Sequence, residues 1–281
     1  MKFAVSIFTA LTIIIGAVLF VQYQVYSDQL DEGGAEFIYS QEIEIFYREN
    51  SLDIRHHYKN LPAQKIKVNL PTGVTSVDCF LEAEYSCERL SEDHTHFAAG
   101  ETRSQSISYV LPVDGGLTDK VLLSNVFAAL DLGEAKFSTV HITTDSSVKG
   151  QWVTGLPLSG QQQLKLVNYS MFSGEGHVKD LYWDSTDITV QHSTDIMSIY
   201  SNAAVTAQFK QELANIQLLS DEHIAVVNSD FSGEGYRILF LPEISITQLQ
   251  QNVVFSQLES VYTFEDTVPH WLKELLASFL T

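Results

Sequence analysis

Short stretches of the chain alternate polar and apolar residues. EIEIFY (42–47), LDIRHHY (52–58), KIKVNL (65–70) and SISYVL (106–111) repeat with period two and are rich in β-branched and aromatic residues. Successive side chains of a strand point to opposite faces, so this pattern predicts half-buried β-strands. Turn-forming residues separate the runs: Glu49-Asn50-Ser51, Asn60-Leu61-Pro62, Pro71-Thr72-Gly73 and Ala99-Gly100. Strands at this spacing, with no helical pattern between them, predict an antiparallel β-sandwich over 36–113.

Asp114-Gly115-Gly116 interrupts the series and is the expected domain boundary. Beyond it the pattern changes. KVLLSNVFAALDLG (120–133) has helical spacing and ends at a glycine suited to a C-cap. Strand-like runs follow at 137–144, 163–172, 177–183, 187–193, 223–229 and 236–242. Helices are expected at 204–216, 246–264 and 269–280, the last with Pro269 in its first turn. The expectation is an α+β protein whose second part, 117–281, is a mixed α/β domain. The pentapeptide FSGEG occurs at 172–176 and again at 231–235, each time between two strand-like runs. It reads as a tight hairpin drawn from a small set of turn residues, or as a pair of matching ligand loops.

The N-terminus has a different character. Residues 3–21 (FAVSIFTALTIIIGAVLFV) carry no charge, and 19 residues of helix span about 28 Å, close to a bilayer's hydrocarbon core. Tyr23 and Tyr26 follow where amphipathic rings favour the interface. Lys2 precedes the run, and Asp28, Asp31 and Glu32 follow it, which places the N-terminus in the cytoplasm and the remainder outside. Residues 1–27 are therefore read as a cytoplasmic stub and uncleaved signal anchor, and 28–35 as a tether. The rival reading is a cleaved signal peptide, but such peptides have shorter apolar regions and a small-residue cleavage site. Either reading exports the rest of the chain.

Charge narrows the partners. The chain has 16 Lys+Arg against 35 Asp+Glu, a net charge of −19. An acidic excess of this size repels a polyphosphate backbone along its length, so general nucleic-acid binding is excluded. The expected partners are the membrane, through the N-terminal helix, and an envelope protein or polymer. Cys79 and Cys87 are the two cysteines. In an oxidising compartment they invite a disulfide that closes CFLEAEYSC, worth roughly 2.5 kcal/mol on chain-entropy grounds. Free thiols, or a metal site completed by histidines, are the alternatives.

Few residues suggest chemistry, and no cofactor is implied. His56 and His57 fall in one predicted strand, and His94 and His96 in another. Residues two apart share a strand face, so His94 and His96, joined by His56 or His57, would make a three-nitrogen metal site. There is no G-x-S-x-G elbow, P-loop or dinucleotide fingerprint. Asn168-Tyr169-Ser170 is a formal glycosylation sequon. Glu175 and Glu234, in the two FSGEG segments, are candidates for divalent-cation loops.

At the C-terminus, a strand pair and a helix lead into Val268-Pro269-His270-Trp271-Leu272-Lys273-Glu274-Leu275-Leu276-Ala277. This stretch resembles the P-x-W-L-x-E-G-L-A helix of gluzincin metallopeptidases, whose Glu is a zinc ligand. The resemblance implies a degenerate peptidase-like domain. Glu274 matches the ligand position, but the segment where H-E-x-x-H would fall is Asn252-Val253-Val254-Phe255-Ser256, without either histidine or the general base. Leu275 replaces the usual glycine. The segments CFLEAEYSCERL and RSQSISYVLP also resemble membrane-anchored surface proteins of Gram-positive bacilli.

The sequence reading is thus a single-pass protein of the cell membrane, extracytoplasmic beyond its anchor, acting as a non-catalytic binding or scaffolding module. One alternative is an exported metallohydrolase using Glu274 and His270, or His56, His94 and His96. The other is a divalent-cation-dependent adhesion or sensor domain.

Overall fold

The computed structural model describes residues 36–80, 86–216 and 219–261, with the single positions 15, 269, 271 and 272. The apolar run 3–21 lies outside these residues, apart from Ile15, as do Glu274 and His270. Among the described residues no helix is long and apolar enough to cross a membrane.

The alternating runs become strands. β1 (Phe37–Arg48) buries every second residue from Tyr39 to Tyr47. Its hairpin partner β2 (Ser51–Lys59) follows a two-residue turn, Glu49 and Asn50, with φ of 47° and 63°. Positive φ at both positions is what a two-residue hairpin needs to match strand twist. β6 (Gln105–Pro112) adds to β2, and β4 (Thr75–Asp78) adds to β6.

On the other side of β1 the sheet continues with residues from beyond Gly116. β9 (Gly133–Asp145) runs parallel to β1, β12 (Val167–Glu175) pairs antiparallel with β9, and β11 (Leu158–Gln163) forms the edge. The result is one seven-stranded sheet, β11-β12-β9-β1-β2-β6-β4. Asp114-Gly115-Gly116, expected to separate two units, is a turn with φ of 75° and 66° at its glycines, and strands from both sides of it share this sheet.

Two small sheets cover one face. One contains β3 (Ile66–Asn69), β5 (His96–Phe97) and β8 (Ala129–Leu130). The other contains β7 (Lys120–Leu123), β10 (Gln151–Val153) and β13 (Leu181–Asp184). Ile43, Ile45, Ile54, Tyr58 and Tyr109 of the large sheet pack with Ile66, Phe97, Leu130, Trp152 and Trp183 in one core. Each such side chain contributes roughly 1.5–3 kcal/mol on burial. That burial explains why 120–133 is not the expected helix. Leu122 and Leu123 pair with Tyr182 and Leu181, and Val126, Phe127 and Ala128 are all buried, which one helix face cannot achieve. Asn125, at φ 52°, breaks the run.

The remaining sheet is β14 (Thr189–Ser193), β15 (Met197–Ser201), β16 (Ile224–Asn228) and β17 (Ile238–Leu241), in that order. β15, β16 and β17 are parallel, and β14 is antiparallel to β15. α1 (Ala207–Leu213) joins β15 to β16, and its N-terminus is capped by Thr206, whose side chain accepts from the Phe209 N–H. α2 (Ile246–Val261) follows β17 and places Leu249, Val253 and Leu258 inward. Helices cover one face of this sheet and the β7-β10-β13 layer covers the other. β15 is buried at all five positions, so it lacks alternation and escaped the sequence reading. The run expected as one strand at 163–172 is instead the end of β11, a turn at 164–166 and β12. Among the described residues the architecture is mostly β, with mixed sheets and the two helices α1 and α2, consistent with an α+β chain.

Candidate functional site

The seven-stranded sheet turns its other face to solvent, and polar side chains there are linked from strand to strand. β12, β9, β1 and β2 are neighbours in that order. Tyr169 on β12 lies with its hydroxyl 2.6 Å from His141 Nδ1 on β9, the two rings stacked at 28°. His141 Nε2 lies 3.4 Å from Glu42 Oε1 on β1. The other Glu42 oxygen, Oε2, is 3.5 Å from Lys59 Nζ on β2. Beside this row, Arg55 contacts Glu44 at 3.5 Å and stands over the rings of Phe46 and Phe80, at 4.9 and 3.9 Å from their centroids. Glu42, Lys59, Glu44, Arg55 and His141 keep side-chain exposures of 36, 40, 28, 27 and 23%. The row is held in place and still reachable.

Hydroxyl, imidazole and carboxylate in line is the order of an activated nucleophile. Here the electrostatics oppose activation. Burial, then the carboxylates of Glu42 and Glu44, push the Tyr169 phenol above its ordinary value, so it stays a neutral donor and acceptor. The geometry suits recognition. All three residues occupy polar positions of strands legible in the sequence, but only the strand order brings them together.

The disulfide borders this face. Cys79 and Cys87 are paired with Cα atoms 5.9 Å apart. The Ser106 hydroxyl donates to the Phe80 carbonyl next to the first cysteine, and Phe80 meets His57 edge-on at 6.1 Å.

The histidines proposed as metal ligands are dispersed. His56 faces the core and is fully buried, with Nε2 2.9 Å from Gln41 Oε1 and Nδ1 3.2 Å from the Tyr58 hydroxyl. Gln41 passes the chain on to Ser138, which donates to the Gly176 carbonyl. Burial, with the neighbouring His57 and His177, lowers the His56 pKa to about 3, so a neutral imidazole sits in this network. His57 points to the opposite face of β2. His94 is not in a strand at all but in a turn at φ 57°, whereas His96 begins β5. β5 pairs with β3 and not with β2, so the two histidine pairs belong to different layers. No group of three or more His, Cys, Asp or Glu side chains among the described residues could hold a metal ion. The Asn168 amide of the sequon donates to the Val148 carbonyl.

The two FSGEG segments do not form matching loops. The first forms the end of β12 and a turn at Gly176 (φ 87°), while the second is an irregular loop leading to β17. Arg237, two residues after the second, donates through Nη1 to the carbonyls of Glu175 and His177 and through Nε to that of His223. A guanidinium therefore occupies the space beside the Glu175 carbonyl at the end of the first segment.

A crevice of about 350 Å³ opens at the carboxyl ends of β15, β16 and β17. Its floor is tied by Asn228, which accepts from the Ser201 hydroxyl and donates to the carbonyls of Leu241 and Pro242. Val205, Phe209 and Ile244 form apolar walls, and Glu243 supplies charge at the rim. Ligands favour such strand ends in α/β sheets. The position was hidden in the sequence because β15 was.

No protein-family model matches the chain, and no curated protein matches it. Among solved structures, an M1 zinc metallopeptidase from Deinococcus radiodurans superposes with a TM-score of 0.45 at 9% identity, covering 79% of this chain and 63% of that one. The chain thus spans less than two thirds of that structure's length. A likeness this distant defines neither a family nor an activity.

Proposed function

We infer that the chain is an extracytoplasmic, membrane-anchored binding or scaffolding module of the cell envelope that performs no chemistry of its own. The observation behind this reading is the cross-strand row Tyr169–His141–Glu42–Lys59, a pre-ordered, half-exposed surface with a neutral phenol. Pre-ordered polar groups lower the entropic cost of capturing a partner. The uncharged run at 3–21 and the resemblance to anchored surface proteins of Gram-positive bacilli support the membrane and envelope parts of the reading. The test uses the full chain. It should sediment with membranes, lose its C-terminal part to protease added outside intact cells, and retain isolated envelopes in a way that Glu42→Ala with His141→Ala abolishes. Stoichiometric zinc with EDTA-sensitive cleavage of a peptide library would overturn the non-catalytic reading. A cytosolic chain with both cysteines reduced would overturn the location.

A further inference from the structure

The β11–β12 hairpin turns through Leu164, Lys165 and Leu166. Leu166 leaves 72% of its surface exposed and Leu164 52%, and Leu166 is the most exposed large apolar residue among those described. Single exposed leucines are ordinary, but two flanking one tip form a shaped apolar feature.

The tip is braced. Leu164 N–H donates to the Val167 carbonyl at 2.8 Å. The neighbouring turn after β9 reaches over, with Ser146 N–H donating to the Leu166 carbonyl at 3.0 Å and the Ser146 hydroxyl to the Lys165 carbonyl at 3.2 Å. Polar backbone is thus drawn back into the protein while the leucines remain outside. The charge is also unusual. Lys165 lies between the leucines and Lys149 is exposed on the bracing turn, against Asp145, so these two turns are net positive in a chain of −19.

We propose that this tip is a lipid-contacting knob that inserts its two leucines into the interface of a bilayer carrying anionic headgroups. Lys165 and Lys149 extend to the phosphates while their stems lie along the apolar boundary. A protein partner fits less well, because a stable protein contact buries about 800 Å² per side and a two-leucine knob cannot supply it. A bilayer deforms around so small a knob. The contact goes beyond the anchoring of residues 3–21 and does not depend on it. It is compatible with it: the tip lies beyond the Arg48 end of β1, about 40 Å from Phe37, and residues 22–36 can extend about 50 Å.

The experiment reads the depth of an indole. Full chain carrying Leu166→Trp and Trp271→Phe is combined with phosphatidylcholine vesicles, with or without phosphatidylglycerol, made with lipids brominated near the headgroup. Trp152 and Trp183 are buried and give a constant background. The expected result is a blue shift and loss of most of the new indole's emission on vesicles containing phosphatidylglycerol, reversed by salt and by Lys165→Glu. Chain that floats with the vesicles while this emission stays unquenched and open to aqueous iodide would overturn the knob and leave N-terminal anchoring intact. Chain that neither floats nor shifts would overturn both. Leu164→Asp with Leu166→Asp should abolish the contact while the far-ultraviolet circular dichroism stays native.

Discussion

The Arg237 guanidinium donates to the Glu175 carbonyl 3.0 Å away, joining the start of β17 to the end of β12. Arg237 also holds the carbonyls of His177 and His223, is 5% exposed, and stands at φ 60°. Through it the parallel sheet is pinned to the seven-stranded one.

Removing the pin should be expensive. Arg237→Ala leaves three carbonyls without their charged donor, and the expected loss is about 3 kcal/mol, read as a lower urea midpoint. Arg237→Lys should not restore it, because an ammonium lacks the planar fork. A midpoint within error of the parent would remove Arg237 from this role.

Acid should destabilise the fold through His56. The buried imidazole is held near pKa 3, while the unfolded chain takes up its proton near 6.5. Above pH 6.5 both states are neutral there and the group contributes nothing. Between 6.5 and 3 only the unfolded state binds the proton, so stability falls as pH falls. The slope from this group approaches about 1.4 kcal/mol per pH unit. His223, lowered to about 4 by burial, works in the same direction. Urea titrations from pH 7 to 4.5 should show the slope, and His56→Gln should reduce it by about one proton. An unchanged slope in that variant refutes the assignment.

The disulfide should act locally. Cys79→Ser with Cys87→Ser is expected to cost roughly 2.5 kcal/mol without altering the far-ultraviolet spectrum, since the bridge closes only a short loop. Loss of secondary structure in the double variant would mean that the loop supports far more of the sheet.

The outer row should matter to binding and little to stability. Glu42→Gln weakens exposed ion-pair contacts, so thermal unfolding should move by less than about 0.5 kcal/mol. Retention on isolated envelopes should drop at least about tenfold, the loss of roughly 1.4 kcal/mol expected for a pairing group at an interface. Equal retention would disconnect this face from function.

Glu274→Gln separates the binding and hydrolase readings at the chain's other end. Envelope retention should be unaffected, and no peptide cleavage should be present in the parent to lose. Cleavage abolished by this one change would make Glu274 catalytic.

Strand identity was readable in β1, β2, β3 and β6, where one face of the strand meets solvent and the other does not. EIEIFY, LDIRHHY and SISYVL alternate because half of each strand is wet, and period two is a local property. Both FSGEG segments, both cysteines and a helix within 204–216 were equally visible. The tertiary structure decided what lies next to what. Parallel pairing of β1 with β9 joins residues nearly a hundred positions apart, and no local period encodes that choice. It placed β9, β11 and β12, from beyond Gly116, in one sheet with strands that precede it, turned an expected helix into β7 and β8, and concealed β15, which is buried throughout. It also sent His56 inward and His94 into a turn, while aligning Tyr169, His141 and Glu42 across three strands. Side-chain periodicity records only the burial of each face, whereas strand order depends on which apolar faces fill a common core, and that is a property of the whole chain.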